Sequence, residues 1–146
     1  MKKIGFIGLG NMGKGMSINL SKENLEIIGY DINENAYKEL NDKKILIADN
    51  LNHLINETEI IITMLPDGKA VKKVWSEAIA FSTPGKYFID CSTIDVKTSK
   101  SVQMQAKEKG LLTLDAPVSG GVIGADQGTL TFMVGGASKT YNEMKF

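Results

Sequence analysis

The sequence predicts an α/β fold, a doubly wound and mostly parallel sheet of the Rossmann type. Three observations carry that reading. An apolar strand, Ile4 to Ile7, runs straight into G-x-G-x-x-G at Gly8, Gly10 and Gly13 and then into a helical stretch. Strand-like and helix-like segments alternate along the whole chain, as they do where parallel strands are joined by crossover helices. Ile60-Ile61-Ile62 is continuously apolar rather than alternating, the pattern of a central strand covered on both faces.

The elements follow in order. The first strand, Ile4 to Ile7, ends in the glycine turn, and Met12, Met16 and Leu20 recur every fourth residue after it, one helix face packed on the sheet. The second strand, Leu25 to Tyr30, is an apolar run that ends in Asp31, and the third is Lys44 to Ile47. Asp49 to Glu57 is a short polar helical stretch holding His53, the sole histidine, which reads as a solvated surface residue. The fourth strand is Glu59 to Leu65. In the helix after Gly68, Trp75 shares a buried face with Val71 and Ile79. The fifth strand is Tyr87 to Asp90. The next helix, Val96 to Lys109, has Asp95 as N-cap, Lys107 and Lys109 in its last turn and Gly110 as its stop. The sixth strand is Leu111 to Asp115. No repeat or linker divides the 146 residues, which form one domain.

The glycine turn reads as a dinucleotide site because each part has a physical task. Gly8 permits the tight turn off the strand, Gly10 removes a side chain that would hold a pyrophosphate away from the backbone, and Gly13 lets the helix lie close on the sheet. The phosphates then meet free N–H groups at a helix N-terminus. Asp31, at the end of the second strand, can accept both hydroxyls of the adenosine ribose and would repel a 2′-phosphate. The residues that follow, Ile32 to Asn35, offer no arginine to pair such a phosphate. The expected cofactor is NAD.

Composition narrows the partners. The 17 basic and 17 acidic residues cancel without forming a cationic stripe, which argues against nucleic acid and anionic membrane surfaces. No apolar run is long enough to span a bilayer. Cys91 is the only cysteine, and Met1 stands directly against the first strand without a leader, so the expected compartment is a reducing cytoplasm. With one histidine and one cysteine, no metal site is expected.

Ligands of such sheets bind beyond the carboxyl ends of the strands. Three segments stand there. Met64-Leu65-Pro66-Asp67-Gly68 either closes over a cofactor or simply reverses the chain. Asp90-Cys91-Ser92-Thr93 puts two hydroxyls ahead of a helix, where capping is the plain reading. Asp115-Ala116-Pro117-Val118-Ser119-Gly120-Gly121 offers a hydroxyl and bare N–H groups, which suits either a carboxylate pocket or a turn.

Together, G-F-I-G-L-G-N-M-G from Gly5, M-L-P at Met64 to Pro66, D-C-S-T-I at Asp90 to Ile94, and D-A-P-V-S-G-G leading to G-T-L-T-F-M-V-G-G at Gly128 to Gly136 resemble the β-hydroxyacid dehydrogenase family over the whole chain. The resemblance implies cofactor contacts at Gly8, Leu9, Gly10, Asn11, Met12 and Gly13, at Asp31, at Met64, Leu65 and Pro66, and at Thr93. It implies that Ser119, Gly120 and Gly121 hold a small substrate carboxylate. The implied activity is hydride transfer between NAD and a small 3-hydroxy acid, with 3-hydroxyisobutyrate favoured. The alternatives are an NADPH-dependent reductase of tartronate semialdehyde, succinic semialdehyde or glyoxylate, or a non-catalytic NAD-binding module. Where some members carry an asparagine after the Leu-Pro pair, this chain has Ala70. The family also continues into an all-helical domain, whose lysine in a G-x-x-x-K-x-x-x-N pattern assists proton transfer. This sequence holds no such pattern, and neither Lys139 nor Lys145 fits it, so the chain reads as a fragment that ends before the helical domain and has no catalytic residue of its own. The last turns, with Tyr141, Met144 and Phe146, are expected to leave an apolar face bare and to favour a homo-oligomer.

Overall fold

Isoleucine-rich runs form the strands, and the polar and glycine-rich segments between them turn the chain. The computed structural model describes residues 3–38, 40 and 44–145. Along the chain lie β1 (Lys3–Ile7), α1 (Asn11–Lys22), β2 (Glu26–Tyr30), a 3-10 turn (Glu34–Tyr37), β3 (Ile45–Ile47), α2 (Leu51–Glu57), β4 (Ile60–Thr63), α3 (Gly68–Phe81) and β5 (Tyr87–Asp90). There follow α4 (Val96–Glu108), β6 (Leu112–Asp115), β7 (Val118–Ser119), α5 (Gly121–Gln127), β8 (Thr131–Phe132), β9 (Gly135–Gly136) and α6 (Ser138–Met144). The seven-stranded sheet runs β3-β2-β1-β4-β5-β6-β9, parallel except for β9, and a separate ribbon pairs β7 with β8. The strand order reverses between β1 and β4, and this topological switch point opens a crevice at the carboxyl ends of the strands.

The predicted doubly wound fold is the one observed, with β4 in the middle of the sheet. Helices cover both faces. On one, α2, α3 and α4 bury Leu54, Val71, Trp75 and Val102 against Ile61 and Phe88. Trp75 meets Phe88 edge to face, ring centroids 5.2 Å apart, an arrangement worth about 0.5–1.5 kcal/mol beyond burial. On the other face, α1 and α5 cover Phe6, Ile27 and Ile60. There Met16 is buried and Met12 and Leu20 are partly buried, so the methionine stripe is core. Ile79 likewise packs at the margin of the Trp75 cluster. Asn50, Asp67 and Asp95 cap α2, α3 and α4 by accepting from the backbone N–H of His53, Ala70 and Thr98. Gly110, at φ +80°, ends α4 as expected.

Two differences from the sequence reading affect the site. The fourth strand ends at Thr63 rather than Leu65. Met64 N–H still bonds Ile7 C=O, but Leu65 N–H turns to the Ser92 hydroxyl at 2.9 Å, which releases the chain from the sheet at Leu65. The short strands β7, β8 and β9 were not anticipated. At the chain's end, Tyr141 is exposed while Met144 is half-buried against the second face; Phe146 lies outside the described residues. No helix among the described residues is long and apolar enough to cross a membrane.

Candidate functional site

The first βα turn is built on steric limits. Gly8 has φ +95°, and a Cβ there would lie 2.2 Å from the Met64 carbonyl oxygen on β4's loop. A Cβ on Gly13 would lie 1.8 Å from the Gly8 carbonyl oxygen, so the start of α1 can approach the strand only without one. Gly10 differs. A Cβ there would meet nothing within 4 Å, because the space above it is the open cleft. α1 starts at Gly10 with no side-chain cap, unlike α2, α3 and α4. Its first-turn N–H groups therefore remain donors for an anion.

Asp31 faces this turn from the end of β2. Its Oδ2 accepts the Leu9 N–H at 2.7 Å and its Oδ1 accepts the Asn33 N–H at 2.8 Å. A carboxylate has acceptor room for about four hydrogen bonds, so capacity remains on both oxygens. Tyr37, in the 3-10 turn, grips the same residue by its backbone: its hydroxyl donates to the Asp31 C=O at 2.5 Å and accepts the Asp31 N–H at 3.0 Å. Burial of the Tyr37 phenol is the main reason its pKa is raised.

These elements wall a cleft of about 660 Å³ at the switch point. Gly8, Gly10, Asn11, Met12 and Gly13 of the glycine turn line it, as do Asp31 and the loop residues Met64, Leu65 and Pro66. Nine of the residues singled out in the sequence thus converge on one cavity. Five do not line it: Leu9, Thr93, Ser119, Gly120 and Gly121. Leu9 is buried in the second core and gives its N–H to Asp31. Thr93 is exposed in the loop after β5. Ser119 stands in β7 opposite Thr131, and Gly120 and Gly121 follow at φ +135° and +62°, exposed. Ser92, beside Thr93, is not a helix cap; Asp95 holds that place, and Ser92 instead fixes the Leu65 backbone.

Ala70 of α3 also lines the cleft, together with Lys73, Val74 and Glu77, which sequence reasoning missed. Their i, i+3, i+4, i+7 spacing was a usable signal, since it marks the helix face adjoining the buried Val71, Trp75 and Ala78. Ala70, where some family members have an asparagine, therefore does face the cofactor cleft. Ile32 projects at the lip, 84% exposed.

Below the loops lies a buried relay. The Trp75 indole N–H donates to Thr63 Oγ1 at 3.1 Å, and Thr63 donates to Asp90 Oδ1 at 2.8 Å. Asp90 Oδ2 is buried without a hydrogen-bond partner among the described residues, and burial raises the pKa of this carboxyl. Burial, with Asp90 and Asp115 nearby, pushes the Cys91 thiol up to about 12, which leaves it unreactive. Among the described residues no group of His, Cys, Asp and Glu is placed to hold a metal ion.

Residues 3–146 match the family model of the NAD binding domain of 6-phosphogluconate dehydrogenase. The chain belongs to that family. Its kinship to the β-hydroxyacid dehydrogenases rests on individual relatives as well. The mitochondrial 3-hydroxyisobutyrate dehydrogenase of Drosophila melanogaster is 42% identical over 145 residues, covering 99% of this chain and 45% of that protein. The NAD-dependent L-serine dehydrogenase of Pseudomonas aeruginosa is 36% identical over 148 residues, covering 99% and 50%. A solved structure of Mycobacterium tuberculosis 3-hydroxyisobutyrate dehydrogenase with L-serine superposes with a TM-score of 0.96 at 39% identity, covering 99% of this chain and 50% of that one. The chain thus spans about half the length of the relatives it matches. It is an NAD-binding domain, and the geometry of the glycine turn, the open space above Gly10 and the oriented Asp31 carboxylate fit that cofactor.

Proposed function

We propose that this chain is the cofactor-binding half of an oxidoreductase that moves a hydride between NAD and a small 3-hydroxy acid, with 3-hydroxyisobutyrate, oxidised to methylmalonate semialdehyde, as the favoured substrate. The observation that carries the reading is the Asp31 carboxylate, oriented by two N–H groups beside the glycine turn with acceptor capacity left on both oxygens. The ribose 2′ and 3′ hydroxyls match that capacity, and a 2′-phosphate would be repelled. The pyrophosphate would lie over Gly10 against the first-turn N–H groups of α1, with Asn11 and Met12 beside it. Met64, Leu65 and Pro66 would flank the cofactor, and Thr93 would reach it from the β5 loop. Bound NAD supplies the hydride acceptor. The exposed Ser119 hydroxyl and the bare N–H groups of Gly120 and Gly121 would receive the substrate carboxylate.

On the same reading, residues 1–146 are a single cofactor domain, and none of their lysines is the proton-transferring group. Cytoplasm is the compartment we favour, in keeping with a lone buried thiol. A second substrate, L-serine, is favoured by two relatives: one solved structure was obtained with L-serine, and another relative is an L-serine dehydrogenase. Serine keeps the 3-hydroxycarboxylate skeleton and exchanges a methyl for an ammonium at C2.

The test is NADH formation from NAD with 3-hydroxyisobutyrate or L-serine. This chain alone should turn over slowly, since general acid–base assistance is worth about 10²- to 10⁴-fold. A rate equal to that of a full-length relative would place proton transfer within these residues and contradict the proposal.

A further inference from the structure

We infer that Tyr37 is a positioning residue for cofactor choice, which it sets through the backbone of Asp31. The inference rests on the reading of Asp31 as the ribose-binding carboxylate. Asp31 follows the last residue of β2 and leads into an exposed stretch, Ile32 to Asn35, so the sheet holds it from one side only. Beyond the strand, the Tyr37 hydroxyl takes up both of its backbone polar groups, donating to the C=O at 2.5 Å and accepting from the N–H at 3.0 Å. One phenol therefore fixes the peptide groups on either side of the Asp31 Cα, and with them the direction of the side chain. The carboxylate must be aimed well, because each oxygen already accepts one N–H, from Leu9 or Asn33, and has limited directions left for a ribose hydroxyl. Tyr37 itself is not among the residues lining the cleft, so it acts on the cofactor only through Asp31.

Tyr37→Phe removes the hydroxyl and keeps the ring. Calorimetric titration of the whole chain should show NAD affinity falling roughly three- to tenfold, the scale of one or two lost hydrogen bonds, while NADP affinity stays the same, so that the preference for NAD shrinks. In an Asp31→Ala background the same change should leave the preference unaltered. Amide exchange at the Asp31 N–H should also quicken in Tyr37→Phe. If Tyr37→Phe leaves the preference unchanged, or weakens both cofactors equally, the inference is overturned while the reading of Asp31 stands, provided Asp31→Ala alone narrows the preference. A wild-type chain with no preference for NAD, or an Asp31→Ala change without effect, overturns the reading of Asp31 and this inference with it. Should Tyr37→Phe unfold the chain, Tyr37→His decides in its place: a residue that merely props up the loop would lose both cofactors together.

Discussion

A methyl group added at Gly13 and one added at Gly10 should have opposite consequences, although the motif treats the two glycines alike. At Gly13 the new Cβ would collide with the Gly8 backbone oxygen at 1.8 Å, which only backbone movement can relieve. Gly13→Ala should therefore destabilise the fold by about 1–3 kcal/mol or more, read by urea unfolding. At Gly10 nothing lies within 4 Å and φ is −70°, so Gly10→Ala should keep stability within about 0.5 kcal/mol. It should nonetheless weaken NAD binding, because the methyl occupies space that the phosphates need. Equal loss of stability in both variants would contradict this division of roles. Asp31→Ala should narrow the preference between NAD and NADP by tenfold or more, given about 1.5–3 kcal/mol for hydrogen bonds to a charged group; paired titrations would measure it. At this scale the fixed spacing of strand, turn and acidic residue marked Asp31 and the glycines in the sequence, and the fold brings them to one cleft. Tyr37 was not readable. Its contact with Asp31 depends on how a 3-10 turn folds back, and no periodicity encodes that.

Elements connect the cleft to the core. The Trp75–Thr63–Asp90 relay links α3, β4 and β5 directly beneath the Leu65 loop. Thr63→Val keeps the shape but strands the buried indole N–H, and should cost about 1–3 kcal/mol, measured by thermal or urea unfolding. Asp90 gives the relay a pH dependence. Burial raises its pKa above the ordinary value of 3.8, so folding favours the neutral carboxyl. Its contribution to stability is fully present below the ordinary carboxylate value and is lost as pH rises through the raised, folded-state value. Asp90→Asn removes that loss: over a pH series starting near the ordinary carboxylate value, the wild type should lose stability relative to the variant as pH rises. A difference that is constant across the series would contradict the assignment. The six main strands were legible because apolar runs and turn residues alternate, and the unbroken apolar run of β4 marks it as central. β7, β8 and β9 were not, since a two-residue ladder is too short to carry a period. Ser92 also eluded its role, because the hydroxyl could serve a helix or a neighbouring loop and only the tertiary fold decides.

At the scale of the molecule, the two faces of the sheet are unequal. The face under α2, α3 and α4 carries the Trp75 cluster, whereas the other carries an apolar groove of about 480 Å³ between α1 and α6, near exposed Phe132, Met133, Val134 and Tyr141. Exposed apolar surface of this kind favours association, and light scattering should show mass rising with concentration; a monomer at every concentration would remove that expectation. The cleft at the switch point is where NAD is expected to bind. The most direct measurement is calorimetric titration of the wild-type chain with NAD and with NADP under the same conditions. Saturable binding of NAD and clearly weaker binding of NADP are expected; equal affinities, or tighter binding of NADP, would overturn the assignment of Asp31 as the ribose-binding carboxylate.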